Sequence, residues 1–554
     1  VARFKSFLHA GGPVIRGLVG VGLVAVFLWN AAQFYLPGKG FTYLIEFGDR
    51  EHARYLPELL AVNHYELPNS TGYDSQAYAQ IAMRPRLNDP VLQRSVDSLP
   101  YRARRILFSW TAWLLAAGHP VLALNIYAVQ NLGAWVLLAV LLLRWLPPSD
   151  WGRLGRWAAI LFSFGLAFSV RGALPDGPSL FLIAAGMALL ESGRPWLAAG
   201  LLGLTGLGKD TNVLAATALP LPQGRNARSW LRAAGQAALV VLPILGWMLC
   251  LRLWLGHGGD IGARNFNLPL TGFVRKWGET LGQLVAEGWA GMGTSVAKFD
   301  LAVLIGLSAQ FLFFALRPRW RDPWWRLGAS YGVLMIFLGD AVWEGYPSAA
   351  ARVLLPMTLA FNLRVPKGGA WALLLLAGNL GIFGSFDVLR PPGRETFRVE
   401  GPRALRINPA DGRVVEVTYV EPAPAKPGVP VWYPPEKSRL EFWRWSSGDA
   451  EIGLVNPQPY ALAADVSFSL RADDRRRATV RQGGRVLWSG ALEPGVGMKV
   501  ALRGLMLAPG TTALRFESDR PAAYPGNNDP RPLALSLRNL RIDLRGALPR
   551  PGGR

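Results

Sequence analysis

Along residues 1–390 long apolar blocks alternate with short segments in which arginine recurs; after residue 390 the long blocks stop and short alternating runs replace them. Residues 14–35 are apolar over enough length to span a bilayer. Arg3, Lys5 and Arg16 precede or enter them, which places the N-terminus in the cytoplasm. No small-residue cleavage site follows, so an uncleaved anchor is expected. Residues 41–105 then form a polar external loop, and residues 106–118 (ILFSWTAWLLAAG) are too short to span and are expected at the interface. Further apolar blocks follow at 121–143, 157–170, 178–190, 196–207, 213–221, 234–255, 301–316, 327–342, 351–363 and 370–386, with 256–298 as a second external loop. Arg144, Arg153, Arg156, Arg194, Arg228, Arg232, Arg317, Arg319, Arg321, Arg326, Arg364 and Lys367 fall on one side when these blocks alternate in direction. That pattern predicts about eleven spans with the C-terminus outside.

Residues 391–554 carry period-two runs: VVEVTYV, LEFWRW, DVSFSL, RVLWSG, ALRFES and LALSLRNLRI. Asp411-Gly412, Gly483-Gly484 and Pro509-Gly510 separate them as turns, which predicts an antiparallel β-sandwich. Residues 421–435 read as a Pro-rich surface loop within it. The expected organisation is therefore a polytopic α-helical membrane part, 1–390, and an extracytoplasmic β-sandwich, 391–554.

Composition sharpens this. The chain is 51% hydrophobic with 22 Trp, and only 17% of residues are charged, against about a quarter in soluble domains. The net charge of +22 does not point to nucleic acid, because the arginines sit between apolar blocks or in the tail. The single Cys250 excludes a disulfide framework and a cysteine-based metal site. The five histidines are scattered without ligand spacing, so no zinc site is expected.

The polar residues beside the expected outer ends of the spans carry the candidate chemistry. They are Asp74 with Tyr73, Gln76 and Tyr78, then Arg102 and Arg105, Asp176, Lys209 and Asp210, and Glu344 with Arg352. Ionisable groups at membrane depth are costly and mark substrate paths. Transfer of a sugar from a lipid phosphate needs a carboxylate to deprotonate the acceptor hydroxyl and cations to stabilise the departing phosphate. Asp74 is the candidate base, and Lys209, Arg105 and Arg352 are candidate phosphate ligands. The competing readings are a solvated loop aspartate at 74, arginines snorkelling to headgroups at 102–105, and Asp340 and Glu344 pairing with Arg352 to hold a turn. Gly203-Leu-Thr-Gly-Leu-Gly-Lys209 mimics a phosphate-binding loop, but Asp210 stands where Ser or Thr is needed and the preceding residues read as a span. Close helix packing explains its small residues better.

The order of these motifs resembles a known superfamily. Tyr73-Asp74-Ser75-Gln76-Ala77-Tyr78 with Ile81-Ala82 and Pro85 looks like the Y-D-G-Q-x-Y…I-A…P signature of bacterial relatives of GPI mannosyltransferases. Tyr101-Arg102-Ala103-Arg104-Arg105-Ile106-Leu107 and Trp343-Glu344…Arg352-Val353-Leu354-Leu355-Pro356 look like their later elements. The order of carboxylate loop, outer helix, Asp176 and Lys209 is also similar to that of lipid A aminoarabinose transferases. Both belong to the GT-C glycosyltransferases, and the resemblance covers residues 15–390. It implies Asp74 as base, Lys209 and Arg352 near the donor phosphate, and a polyprenyl-phosphate sugar as donor. Ser75 departs from the family's Gly, and Lys209-Asp210 from an Arg-Glu pair.

The expected function is an inverting glycosyltransferase of the bacterial inner membrane, passing a sugar to a lipid-linked or surface glycan outside. No cofactor is expected, since cations can neutralise the leaving phosphate, with a divalent metal as the other option. The alternatives are a glycolipid flippase without chemistry and a diphosphate-dependent polysaccharide ligase or polymerase. Trp443, Trp445, Trp488 and Tyr524 of the β-part either stack on sugars or fill its core.

Overall fold

A computed structural model describes residues 2–36, 38–67, 70–222, 224, 226–256, 262–292, 297–345, 349–391, 403–407, 414–420, 428–437, 442–525 and 529–547. Among them, five segments are long and apolar enough to cross a membrane: Gly12–Ala32, Pro120–Leu142, Ala227–Leu255, Ala297–Leu316 and Ala370–Val388. The pair Trp151–Leu161 and Phe164–Arg171, bent by 42°, reaches the same length and apolarity together, as a broken span or a re-entrant loop. Their outward side chains are apolar, as with Leu231, Leu242, Leu245 and Leu253 on one helix, which suits lipid rather than water.

The other expected spans fall in shorter elements. Residues 178–190 lie in Asp176–Glu191, 196–207 in Pro195–Gly208, 327–342 in Pro323–Phe337 and Asp340–Trp343, and 351–363 in Ala350–Val353 and Leu355–Arg364. Residues 213–221 fall largely in the 3₁₀ run Asp210–Ala218. None has the roughly 20 residues a crossing helix needs. Instead they pack against one another and against the long helices around a shared core that includes Trp135, Phe314, Tyr331, Met357 and Phe361. Broken backbone is tolerated at such depth where protein surrounds it. The segment of residues 106–118 is a nine-residue helix, Leu107–Leu115.

One expectation is corrected outright. Most of 256–298 is not a loop: Thr271–Met292 is a 22-residue helix. Phe273, Trp277, Leu281 and Leu284 recur on one face, with Lys276 and Glu279 between them, and that 3.6-residue period was there to be read. Lys276 donates to buried Asp300 at 2.9 Å and to the Gly345 carbonyl at 3.1 Å, tying this helix to the next.

The Gly203–Lys209 run ends the helix Pro195–Gly208. A side chain at Gly203 would strike the Leu239 carbonyl, and one at Gly208 would meet Phe108 and Ser179. The small residues are there to let helices close up.

The C-terminal part is two antiparallel sheets. The six-stranded one runs in spatial order Arg485–Leu492, Arg476–Gln482, Gly510–Ser518, Ala450–Asn456, Val414–Val420, Arg403–Ile407. The five-stranded one runs Met498–Leu507, Leu462–Arg471, Ser536–Ala547, Phe442–Trp445, Glu436–Lys437. Their inner faces share one core, with Val417, Ile452, Val466, Val480, Leu514 and Phe516 buried in it. Gly483 and Gly510 adopt φ +56° and +90° at the turns expected there, conformations that favour glycine. Asp411-Gly412 and residues 421–427 lie outside the described residues. Trp445 is buried, Trp443 lies under the Arg538 guanidinium at 4.6 Å, and Trp488 packs on the core, whereas Tyr524 is exposed.

Candidate functional site

The loop before Asp74 is over-determined by hydrogen bonds. Glu46 adopts a left-handed backbone, φ 58°, and its carbonyl accepts the Tyr73 amide at 3.0 Å. The buried Ser75 hydroxyl donates to the Ile45 carbonyl. Gln76 Oε1 accepts from Tyr55 at 2.8 Å and from the Gly48 amide at 3.3 Å. Gln80 accepts from the Leu56 amide at 3.0 Å and donates to the Ser95 carbonyl at 3.2 Å. Asp74 is thereby fixed as the first residue of the helix Asp74–Met83, where the dipole favours a carboxylate.

Two smaller expected results arise here. Gly72 has φ +76°, and a Cβ on it would collide with the Gln76 side chain and crowd the Glu46 carbonyl at 2.8 Å. Gly72→Ala is expected to cost about 1–3 kcal/mol, read as a lower thermal midpoint in detergent. Ser75→Ala is expected to cost about 1 kcal/mol by removing the hydroxyl that the Ile45 carbonyl accepts, again read as a lower thermal midpoint. The Ser75 side chain is thus a tether.

The Asp74 carboxylate receives Arg102 Nη1 at 2.7 Å, and the same guanidinium holds Asp97 at 2.6 Å. Burial works against the charge on Arg102, but Asp97 and Asp74 outweigh it and raise its pKa. About a third of the Asp74 side chain stays exposed. It faces a cavity of about 260 Å³ lined also by Thr71, Tyr73, Gln76, Asp97 and Arg102. A carboxylate oriented by an arginine and open to a cavity is placed to meet a bound hydroxyl.

Beside it lies a buried charged cluster. Asp176 opens the helix Asp176–Glu191 after a corner at Ala173, φ 45°. Tyr127 donates to the Ala173 carbonyl at 2.9 Å, Asn131 to the Leu174 carbonyl at 2.7 Å, and the Gly177 amide to Ser169 Oγ at 2.8 Å. One oxygen of Asp176 accepts from Lys209 Nζ; the other accepts from Arg352 Nη1 at 3.3 Å. Arg352 Nη2 donates to the Tyr73 hydroxyl at 2.9 Å. Asp176, Lys209 and Arg352 are all buried. Gly165 lets the helix Phe164–Arg171 lie directly on the Ala351–Arg352 backbone, where a Cβ would not fit. Arg105 donates to Tyr78 at 3.0 Å and stands 4.0 Å from Asp210. A chain of contacts therefore runs from Tyr73, next to Asp74, through Arg352 and Asp176 to Lys209. With Arg105 and Asp210 added, three cations stand beside two carboxylates.

Of the residues singled out from the sequence, Tyr73, Asp74, Gln76, Tyr78, Arg102, Arg105, Asp176, Lys209, Asp210 and Arg352 come together. Glu344 does not: it pairs with exposed Arg264, while Asp340 pairs with Arg275 at 2.6 Å. The expectation that these two carboxylates hold Arg352 is corrected, since Asp176 does so.

Several participants have no local signature. Glu46 pairs with Arg171 at 3.0 Å; burial raises its pKa, against the pull of Arg171 and Arg352. Among the described residues the hydroxyls of Ser179 and Thr211 are buried with no hydrogen-bond partner; Ser179 Oγ stands 2.9 Å from where a Gly208 Cβ would be, and Thr211 follows Lys209 by two residues. His52 and His64, scattered in sequence, both meet Glu66, at 2.7 and 2.9 Å. Among the described residues no group of three His, Cys, Asp or Glu side chains is arranged to hold a metal ion.

No family model and no curated protein matches the chain. Among solved structures it is similar to the arabinosyltransferase EmbB from Mycobacterium smegmatis, with a TM-score of 0.35 and 10% identity. The match covers 94% of this chain and 64% of that one. A likeness of that size carries no functional weight, so the site is read from its own geometry.

Proposed function

We propose that the chain is a membrane-embedded glycosyltransferase of the GT-C kind that moves a sugar from a polyprenyl-phosphate carrier to a lipid-linked or surface glycan at the outer face of a bacterial inner membrane. The observation that carries this reading is the juxtaposition of an open, arginine-held Asp74 with the buried Arg352–Asp176–Lys209 cluster through the Tyr73 hydroxyl. In this reading an acceptor hydroxyl attacks the anomeric carbon and gives its proton to Asp74. The bond from that carbon to the phosphate oxygen breaks, and polyprenyl phosphate leaves with the electron pair. Attack opposite the leaving group inverts the anomeric centre. Lys209, Arg352 and Arg105 stabilise the phosphate as its charge grows, and Asp176 holds the first two in place. Ser179 and Thr211 supply hydroxyls that a phosphate oxygen could satisfy.

The reading is tested with purified protein in proteoliposomes and a panel of polyprenyl-phosphate sugars. Free polyprenyl phosphate is expected only when a glycan acceptor is present. Movement of donor between leaflets with no cleavage on any acceptor supports a flippase instead, and turnover confined to diphosphate donors supports a ligase or polymerase.

A further inference from the structure

The helix Asp176–Glu191 has a second charged end. Glu191 lies about 22 Å from Asp176 at 1.5 Å per residue, and Arg364 closes the helix Leu355–Arg364 that follows Arg352. Both residues line a cavity of about 740 Å³, with Arg321, Asp322, Trp324 and Leu221.

Its carboxylates are already committed. Glu191 accepts from the indoles of Trp324 and Trp145 at 2.8 and 2.7 Å. Asp322 pairs with Arg364 and caps the helix Pro323–Phe337 by accepting the Trp324 amide at 3.1 Å. Its cations are not balanced to the same degree. Arg326 donates to the carbonyls of Thr217, Ala218, Leu219 and Trp320 at 2.6, 3.0, 2.8 and 2.7 Å. Those neutral partners satisfy its hydrogen bonds, and the one carboxylate acting on its charge, Asp322, is already paired with Arg364. Arg321 is exposed, and no ion pair engages it among the described residues. The cavity therefore offers unneutralised positive charge.

Its surroundings are apolar and close to a membrane-length helix. Ala297–Leu316 ends five residues before Arg321, and Leu221, Leu316 and Trp320 are exposed around it. Free arginine over exposed Leu and Trp at the end of a span matches a phosphate headgroup with acyl chains below it.

We propose that this cavity binds the headgroup of an anionic phospholipid, with its phosphate on Arg321, the charge of Arg326 behind it, and its chains against Leu221, Leu316 and Trp320. The site lies at the opposite end of the helix Asp176–Glu191 from the Asp176 cluster and does not depend on the glycosyltransferase reading.

The test is native mass spectrometry of the full chain released from vesicles of phosphatidylglycerol and phosphatidylcholine, repeated with added inorganic phosphate. Preferential retention of phosphatidylglycerol is expected, falling about tenfold or more in Arg321→Glu and less in Arg321→Gln. Arg153→Glu is the control: Arg153 pairs with Asp150, which also pairs with Lys367 three residues after Arg364, so it changes the same face by the same charge. Thermal midpoints establish that each variant is folded. The proposal is overturned if both lipids are retained equally, if Arg153→Glu and Arg321→Glu lose equal retention, or if millimolar inorganic phosphate displaces the lipid, which would mark a small-anion site.

Discussion

Asp74→Asn is expected to lower sugar transfer by about two to four orders of magnitude, the usual contribution of a positioned general base. The substitution keeps the size of the side chain and its place at the head of the helix Asp74–Met83, so the loop bonds through Ser75, Gln76 and Gln80 remain. It removes the charge that Arg102 faces, but Arg102 still has Asp97 at 2.6 Å, so no cation is left without a partner. Folding should therefore change little while chemistry is lost. Donor binding should survive too, because Lys209 and Arg352 pair with Asp176, and Arg105 bonds Tyr78 beside Asp210, none of them with Asp74. Transfer assayed alongside donor binding separates these effects; equal losses in both would mean that Asp74 shapes the pocket and does not take the proton.

Asp176→Ala is expected to be the most damaging change to stability. The residue is buried between Lys209 and Arg352, themselves buried, and its removal leaves two cations without a counter-charge. Breaking a buried pair from one side costs about 3–5 kcal/mol, enough to consume much of a domain's margin. Adding Lys209→Met to that variant should restore part of the loss, because residues in one network are coupled. Thermal midpoints of the single and double variants check this. An unchanged midpoint for Asp176→Ala would show that water already screens the cluster.

How much of this was readable beforehand depends on range. The alternation at 414–420 and 465–470 gives strands because that signal is local, whereas the helix Asp74–Met83 falls within residues 41–105, which the sequence presents only as a polar loop. Grouping Asp176, Lys209 and Arg352 at one end was also possible from the order of apolar blocks. Their partnership was not, since Arg352 lies 176 residues from Asp176 and 279 from Tyr73 and no periodicity reports such a contact. Glu344 was drawn in by its place in a motif, yet its helix end turns it toward Arg264. The limits of the spans are less legible for a different reason. Helices such as Leu355–Arg364 are apolar because protein surrounds them, and hydropathy alone does not distinguish that from lipid. The amphipathic Thr271–Met292 helix was missed through reading charge as loop when its apolar residues already kept helical spacing.

The central claim is that Asp74 does the proton chemistry while the Asp176-anchored cations hold the donor phosphate. The most direct measurement is donor binding and sugar transfer in parallel for wild type, Asp74→Asn and Lys209→Met, each folded by its thermal midpoint. The account predicts that Asp74→Asn binds donor without transferring it and that Lys209→Met binds donor poorly. Full transfer by Asp74→Asn would contradict it.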